Sequence, residues 1–169
     1  VIINNSNKTE RLKNDIRVED GVIYMSIDDM KNFFDKYIYI EDEINEIVTT
    51  YDDKIASIGF ESNKLTLNGS TKKTSAHAIK ENETVYLPIS EMKDVYDIQI
   101  DNIADSKIIV IDSLEKEQVQ AKTKSDVSVK AKKEGFSKTV DKIEKDNQVI
   151  VIKNNNNEIS EKGWTKIRT

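Results

Sequence analysis

Along the first hundred residues the apolar positions alternate in short runs and then switch to helical spacing, and they do so twice. "GVIYMSIDDMK", from Gly21, returns as "ETVYLPISEMK", from Glu83; setting Tyr24 on Tyr86 also aligns Ile27 with Ile89, Met30 with Met92 and Lys31 with Lys93. Each copy reads as a short strand running into a helix start. Ser26 with Asp29 three residues on resembles a capping box, and Pro88 brings the fixed φ that a first helical turn tolerates. Met30, Phe33, Phe34 and Tyr37 follow at i, i+3, i+4 and i+7, and Met92, Val95 and Tyr96 repeat the first three steps. That spacing predicts an apolar stripe on each short helix, with Met30, Phe33, Phe34, Met92, Val95 and Tyr96 buried. β-branched runs follow both helices, "YIYI" at 37–40 and "IQI" at 98–100, and "SKIIVID" at 106–112 closes the second copy. Between the copies, "IVTTY", "KIASIGF", "KLTLNGS" and "TSAHAI" have strand-like composition. The expected fold class is α+β, a mostly antiparallel sheet wrapped around two short helices, since neither helix alone buries enough surface to persist.

Composition narrows the chemistry. A chain of 169 residues, 34% charged and with one proline, suits one domain or two small ones. The absence of cysteine excludes disulfides, zinc-thiolate sites, iron-sulfur clusters and thiol nucleophiles. No apolar run approaches the ~20 residues of a membrane span, and "VIINNSNKTE" at the start lacks a signal pattern, so an exported form would have lost its signal before this sequence begins. The Asn and Lys abundance, including "KNNNNE" at 153–158, suits an AT-rich bacterial coding sequence rather than a functional tract.

The net charge of -5 conceals an asymmetry. Residues 1–114 hold 13 Lys+Arg against 22 Asp+Glu, a balance of -9, and residues 115–169 hold 13 against 9, a balance of +4. The change of sign predicts two modules, 1–113 and 120–169, with a joint at 114–119. The basic module has no Arg cluster and interleaves acids with its lysines, which argues against nucleic acid as a partner.

The duplicated pattern, in which Tyr86-Leu87-Pro88-Ile89 gives the clearest copy, resembles the domain named for its similarity to the N-terminal domain of copper amine oxidases, common in secreted Gram-positive proteins. Ser90 stands where that family usually has Arg. The resemblance does not imply copper binding or amine oxidation, and the single histidine agrees with that. In the second half, Val127-Ser128-Val129-Lys130, Gln148-Val149-Ile150-Val151-Ile152 and Gly163-Trp164-Thr165-Lys166-Ile167 resemble successive strands of a bacterial SH3-type domain. This resemblance implies a small all-β SH3-like barrel over 120–169, incomplete after Arg168-Thr169, where the family continues into one more strand. Both domain types commonly accompany hydrolases of cell-wall or spore-wall glycans, family 18 glycoside hydrolases included.

Chemistry-bearing residues are sparse. His77 in "TSAHAI" has no partner at metal-ligand spacing and reads as structural or solvated. Asp52-Asp53 reads as a turn rather than an acid pair, because adjacent carboxylates on a strand face opposite ways, and "EDEINE" lacks the alternation of a calcium loop. The tyrosines could form a sugar-stacking platform but fall mostly on positions assigned to packing. No catalytic residue, metal or cofactor is expected. The candidate ligand-binding residues are Lys122, Lys124, Lys130, Lys132 and Lys133, crowded on the first strands of the basic module, together with Trp164, which reads either as core or as a ligand platform. Two functions stay open: a non-catalytic attachment region of a larger secreted protein, extracellular or wall-associated and contacting an anionic cell-wall polymer or peptidoglycan; or a small hydrolase using a carboxylate pair, with a structural spacer as the bland alternative.

Overall fold

The computed structural model describes residues 1–169 except 117, 155, 157 and 169. It divides the chain into two compact units, one formed by 11–100 and the other by 1–10 with 101–169. The joint expected at 114–119 lies within the second of these, and its residue 117 is outside the described residues.

In the unit 11–100 the sequence repeat is a structural repeat. The strands Arg17–Glu19 and Val22–Ser26 form one hairpin and Ile79–Glu81 and Thr84–Leu87 the other, at a constant offset of 62 residues, and together they make one four-stranded antiparallel sheet. The inner strands of the two hairpins pair with each other, and the register sets Leu87 opposite Met25, its own counterpart. An approximate two-fold axis therefore passes between two residues that are both 0% exposed. Turn chemistry is duplicated too: Asp20 (φ 49°) and Asn82 (φ 53°) take the left-handed conformation at equivalent places.

Each inner strand leads into a helix. Ile27–Phe33 follows the first, with Ser26 Oγ accepting the Asp29 N–H at 3.1 Å. After the second, Pro88 (φ -71°) starts a 3-10 turn, Ile89–Met92, that continues as the helix Lys93–Tyr96. The acid expected to complete the capping box does something else, and does it in both copies. Asp29, fully buried, accepts from the backbone N–H groups of Lys13 (2.8 Å) and Asn14 (3.1 Å), and Glu91 accepts from the N–H of Ser75, the counterpart of Lys13, at 3.2 Å. The repeat thus extends upstream of any sequence similarity, as an acid that clasps the preceding loop. Ser90 accepts the Ile23 N–H at 3.1 Å and joins the second copy to the first.

The α+β assignment is corrected by these elements. Strands hold 47% of the described residues and helices 13%, with one helix of seven residues and one of four, so the chain is mostly β. The first helix stops because Phe34 and Asp35 both donate to the Met30 carbonyl and Asp35 turns inward, where its carboxylate accepts from Thr49 Oγ1 and the Tyr37 N–H. Tyr37, the i+7 position of the expected stripe, is left 63% exposed. Phe33 and Phe34 are only half-buried, whereas Met30, Met92, Val95 and Tyr96 are buried. The second helix ends on Asp97 (φ 47°), whose N–H returns to the Lys93 carbonyl.

Between the copies runs a five-stranded antiparallel meander: Tyr39–Glu41, Glu46–Tyr51, Lys54–Gly59, Lys64–Leu67 and Ser70–Lys73. Ile47, Thr49, Ala56, Ile58 and Leu65 point into the core. "TSAHAI" is not a strand of this sheet; Thr74 Oγ1 donates to the Ala76 carbonyl, and Thr74 and Ala78 donate singly to Asn63 and Gly59, which holds Ala76 and Ala78 inside without a ladder. Asp52 (φ 54°) and Asp53 form the exposed turn between Tyr51 and Lys54, as their spacing predicts.

In the terminal unit, "SKIIVID" leaves the repeat. Ile108–Ser113 pairs in parallel with Ile2–Ile3, which pairs in turn with Ser6–Asn7. Ile2, Val110 and Ile152 form its core cluster. The remaining strands do not build the expected SH3-like barrel. Gln120–Lys122, Gln148–Ile152 and Lys166–Arg168 make a three-stranded sheet, and Val127–Lys130 with Thr139–Ile143 a separate two-stranded ribbon; among the described residues no barrel closes. Of the ribbon's four apolar residues only Ile143 is buried; Val129 is half-buried and Val127 and Val140 are exposed, so the alternating apolar positions that would line a barrel are not packed against a second sheet.

Candidate functional site

The terminal unit contains a hollow of about 350 Å³ into which four of the six candidate residues converge: Lys130, Lys132, Lys133 and Trp164. Lys153 and Lys166 line it as well, so five lysines face it against two carboxylates, Glu158 and Glu161. Lys122 and Lys124 do not line it. Lys122 Nζ lies 3.4 Å from Asp146 Oδ1, and Lys124 is exposed in the loop that follows its strand.

Three local structures build the hollow. Trp164 is presented by a two-residue turn in which Glu161 and Trp164 exchange backbone hydrogen bonds of 2.8 and 2.9 Å. Lys162 (φ 51°) and Gly163 (φ 80°) are both left-handed, the conformation that a tight hairpin turn with the strands' own twist requires and the reason for glycine before the tryptophan. The second structure is the loop of the ribbon, 131–138, tied to the turn by the 2.7 Å ion pair of Lys133 with Glu161. The third is the loop after Gln148–Ile152, where Asn154 Oδ1 accepts from the N–H groups of Asn156 and Glu158 and its Nδ2 donates to Glu158 Oε2 at 2.9 Å. Ile152, buried, forms an apolar part of the floor, and Trp164 is half-buried. The indole therefore serves partly as packing and partly as exposed surface.

Electrostatically the hollow is cationic. The Lys133 hydrogen bond and charge hold the Glu161 carboxyl below the usual carboxylate range. Glu158 is engaged by Asn154. Lys130 Nζ donates to Thr139 Oγ1 at 2.9 Å. Lys132, Lys153 and Lys166 have no ion pair among the described residues, so their charge is free for an external anion. A Glu bound to lysine and held in its charged form is a poor proton donor at neutral pH, so Glu161 is arranged for neutralising Lys133 rather than for acid catalysis.

Sequence reasoning missed Lys153 and Lys166. Lys153 opens the Asn-rich run that reads as base composition, and Lys166 sits two residues past Trp164, a spacing on the same side of an extended chain that could have identified it. The other candidate groups are dispersed. His77 is exposed with Nδ1 2.8 Å from Asn63 Oδ1. Tyr24 and Tyr96 are core, while Tyr37 and Tyr39 are exposed. Among the described residues no group of three or more His, Asp or Glu could hold a metal ion, and no helix is long and apolar enough to cross a membrane. No family model matches the chain, and no curated protein or solved structure matches it either.

Proposed function

We propose that this chain is a non-catalytic attachment or targeting region of a larger secreted bacterial protein, such as a glycan hydrolase of family 18, and that its terminal unit contacts an anionic cell-wall polymer or peptidoglycan. The duplicated unit would be the module that resembles the copper amine oxidase N-terminal-like domain. The observation carrying the reading is the convergence of Lys130, Lys132, Lys133, Lys153 and Lys166 around Trp164 in one hollow. Lysine ammoniums are hydrated point charges suited to loose contact with repeating phosphates or carboxylates, and a half-buried indole beside them offers a face to a sugar or peptide. The alternative of a carboxylate-pair hydrolase is disfavoured by the engagement of Glu158 and Glu161.

Sedimentation with purified, lipid-free Gram-positive wall fragments tests this. Retention should fall steeply with salt, since at ~0.15 M ionic strength screening acts over ~8 Å. Replacing Lys130, Lys132 and Lys133 with glutamine should abolish retention, while the double replacement of Lys122 and Lys124 should leave most of it. No retention, or retention indifferent to salt and to the triple replacement, overturns the reading.

A further inference from the structure

Phe136 is the most exposed large apolar side chain of the molecule, at 107% of its reference area, although phenylalanine is among the residues most strongly driven inside. It sits at the tip of the ribbon formed by Val127–Lys130 and Thr139–Ile143, within the sequence "AKKEGFSK" at 131–138. The loop is not a loose excursion. Ala131 N–H donates to the Lys138 carbonyl (2.9 Å), Lys132 N–H to Ser137 Oγ (3.0 Å), Ser137 N–H to the Glu134 carbonyl (3.1 Å) and Glu134 N–H to the Lys132 carbonyl (2.8 Å). These internal hydrogen bonds order the turn on which Phe136 is exposed. The same loop carries Lys132, Lys133 and Lys138, of which Lys133 is paired with Glu161, and Glu134 is the loop's only acid.

We infer that this tip is a membrane-contacting loop that inserts Phe136 into the interfacial region of an anionic lipid bilayer while the lysines around it meet the headgroups. Charge complementarity selects an anionic surface. The single aromatic ring selects a bilayer over the other occupants: a hydrated polyanion offers the phenyl group no apolar environment, and a protein interface needs a surrounding patch that excludes water, which a tip with one apolar side chain among charges does not supply. A short protrusion bearing one ring and a collar of cations matches the depth of the interface between headgroups and acyl chains. This inference goes beyond the polymer-binding reading and stands without it.

Co-sedimentation of the full chain with vesicles tests it, using phosphatidylglycerol mixed with phosphatidylcholine in one arm and phosphatidylcholine alone in the other. The chain should bind the anionic vesicles and not the neutral ones. Phe136→Ala should lower partitioning about tenfold, the loss expected for withdrawing one partly inserted aromatic ring. Phe136→Trp should retain binding, and its emission should shift to the blue and be quenched by brominated lipid beyond what native Trp164 shows. Phe136→Ala should leave retention on lipid-free wall fragments unchanged, which separates this inference from the polymer-binding reading. Equal binding to both vesicle types, wild-type partitioning by Phe136→Ala, or an equal loss of that variant on wall fragments overturns the inference.

Discussion

The two compact units use the same turn chemistry but differ in how they hold together. Of the largest fully buried side chains, Ile111 alone belongs to the terminal unit; the others, from Met25 and Met30 to Tyr96, lie in the duplicated unit. The duplicated unit combines methionine, leucine and tyrosine in a core where Phe34, Tyr51 and Tyr96 meet, with Tyr51 edge-on to Tyr96 at 5.0 Å. The terminal unit's buried apolar residues are isoleucine and valine only, on strands that leave a charged hollow and an outward-pointing ribbon. Duplication explains part of this difference. Two copies that pair across their own equivalents, Met25 against Leu87, bury Met30 and Met92, the matching helix positions, with one solution used twice. The terminal unit has no such partner, and its exposed cationic surface is what remains available for binding.

The chain carries its own reporters for testing the contrast, because all six tyrosines lie in 11–100 and the single tryptophan in 101–169. The largest effect is expected at the two-fold axis. Leu87→Ala should cost about 2–5 kcal/mol, as large-to-small changes at fully buried positions do, and should lower the unfolding midpoint read by tyrosine emission. An equal shift in the Trp164 signal would break the comparison by making the two units one cooperative block.

Next in size is the acid clasp. Asp29→Ala leaves the Lys13 and Asn14 N–H groups without their acceptor and should cost roughly 2 kcal/mol, the scale of a hydrogen-bonded charged group in a buried setting. Glu91→Ala, at a half-buried site holding Ser75, should cost less than half as much. Equal losses in denaturant titrations would mean that the duplication extends to the energetics.

A smaller effect concerns high pH. Burial pushes the Tyr96 phenol above its ordinary 10.0, and the nearby Asp35 charge acts in the same direction. The unfolded chain ionises this group near 10 and the folded chain does not, so the stabilisation is complete below about pH 10 and is lost progressively above it. The unfolding midpoint should fall with alkali in the native chain and fall less in Tyr96→Phe; an identical alkaline profile would remove Tyr96 as the cause. The smallest effect is expected at Lys72→Gln. The Lys72 hydrogen bond holds the Asp94 carboxyl below its usual range, yet both side chains are largely exposed, and the loss should stay under ~0.5 kcal/mol in the same titration.

The sequence by itself determined the repeat, both helix starts and the turns. Patterns of period two and 3.6, a Ser-x-x-Asp cap, a lone proline and paired acids such as Asp52-Asp53 are local, and local sterics and hydrogen bonding decide them. The asparagines belong here as well, though their composition alone did not reveal it. Among the described residues, nine of the eleven non-glycine residues with positive φ are Asn or Asp, so in a chain of five glycines they supply most of the left-handed positions, and base composition is not the whole reason for their abundance. Tertiary structure decided what depended on distant partners. Which strand "SKIIVID" joins was settled by Ile2–Ile3, more than a hundred residues away. Whether Tyr37 is buried was settled by Asp35 turning in to Thr49. Which lysines share a hollow was settled by the loops that carry Lys153 and Trp164, since a charge's position along the chain does not fix its neighbours in space. The barrel expected of the basic half fails for the same reason: its strands have the right alternation, but closure needs the apolar faces of two sheets to meet, and the ribbon leaves Val127 and Val140 exposed instead.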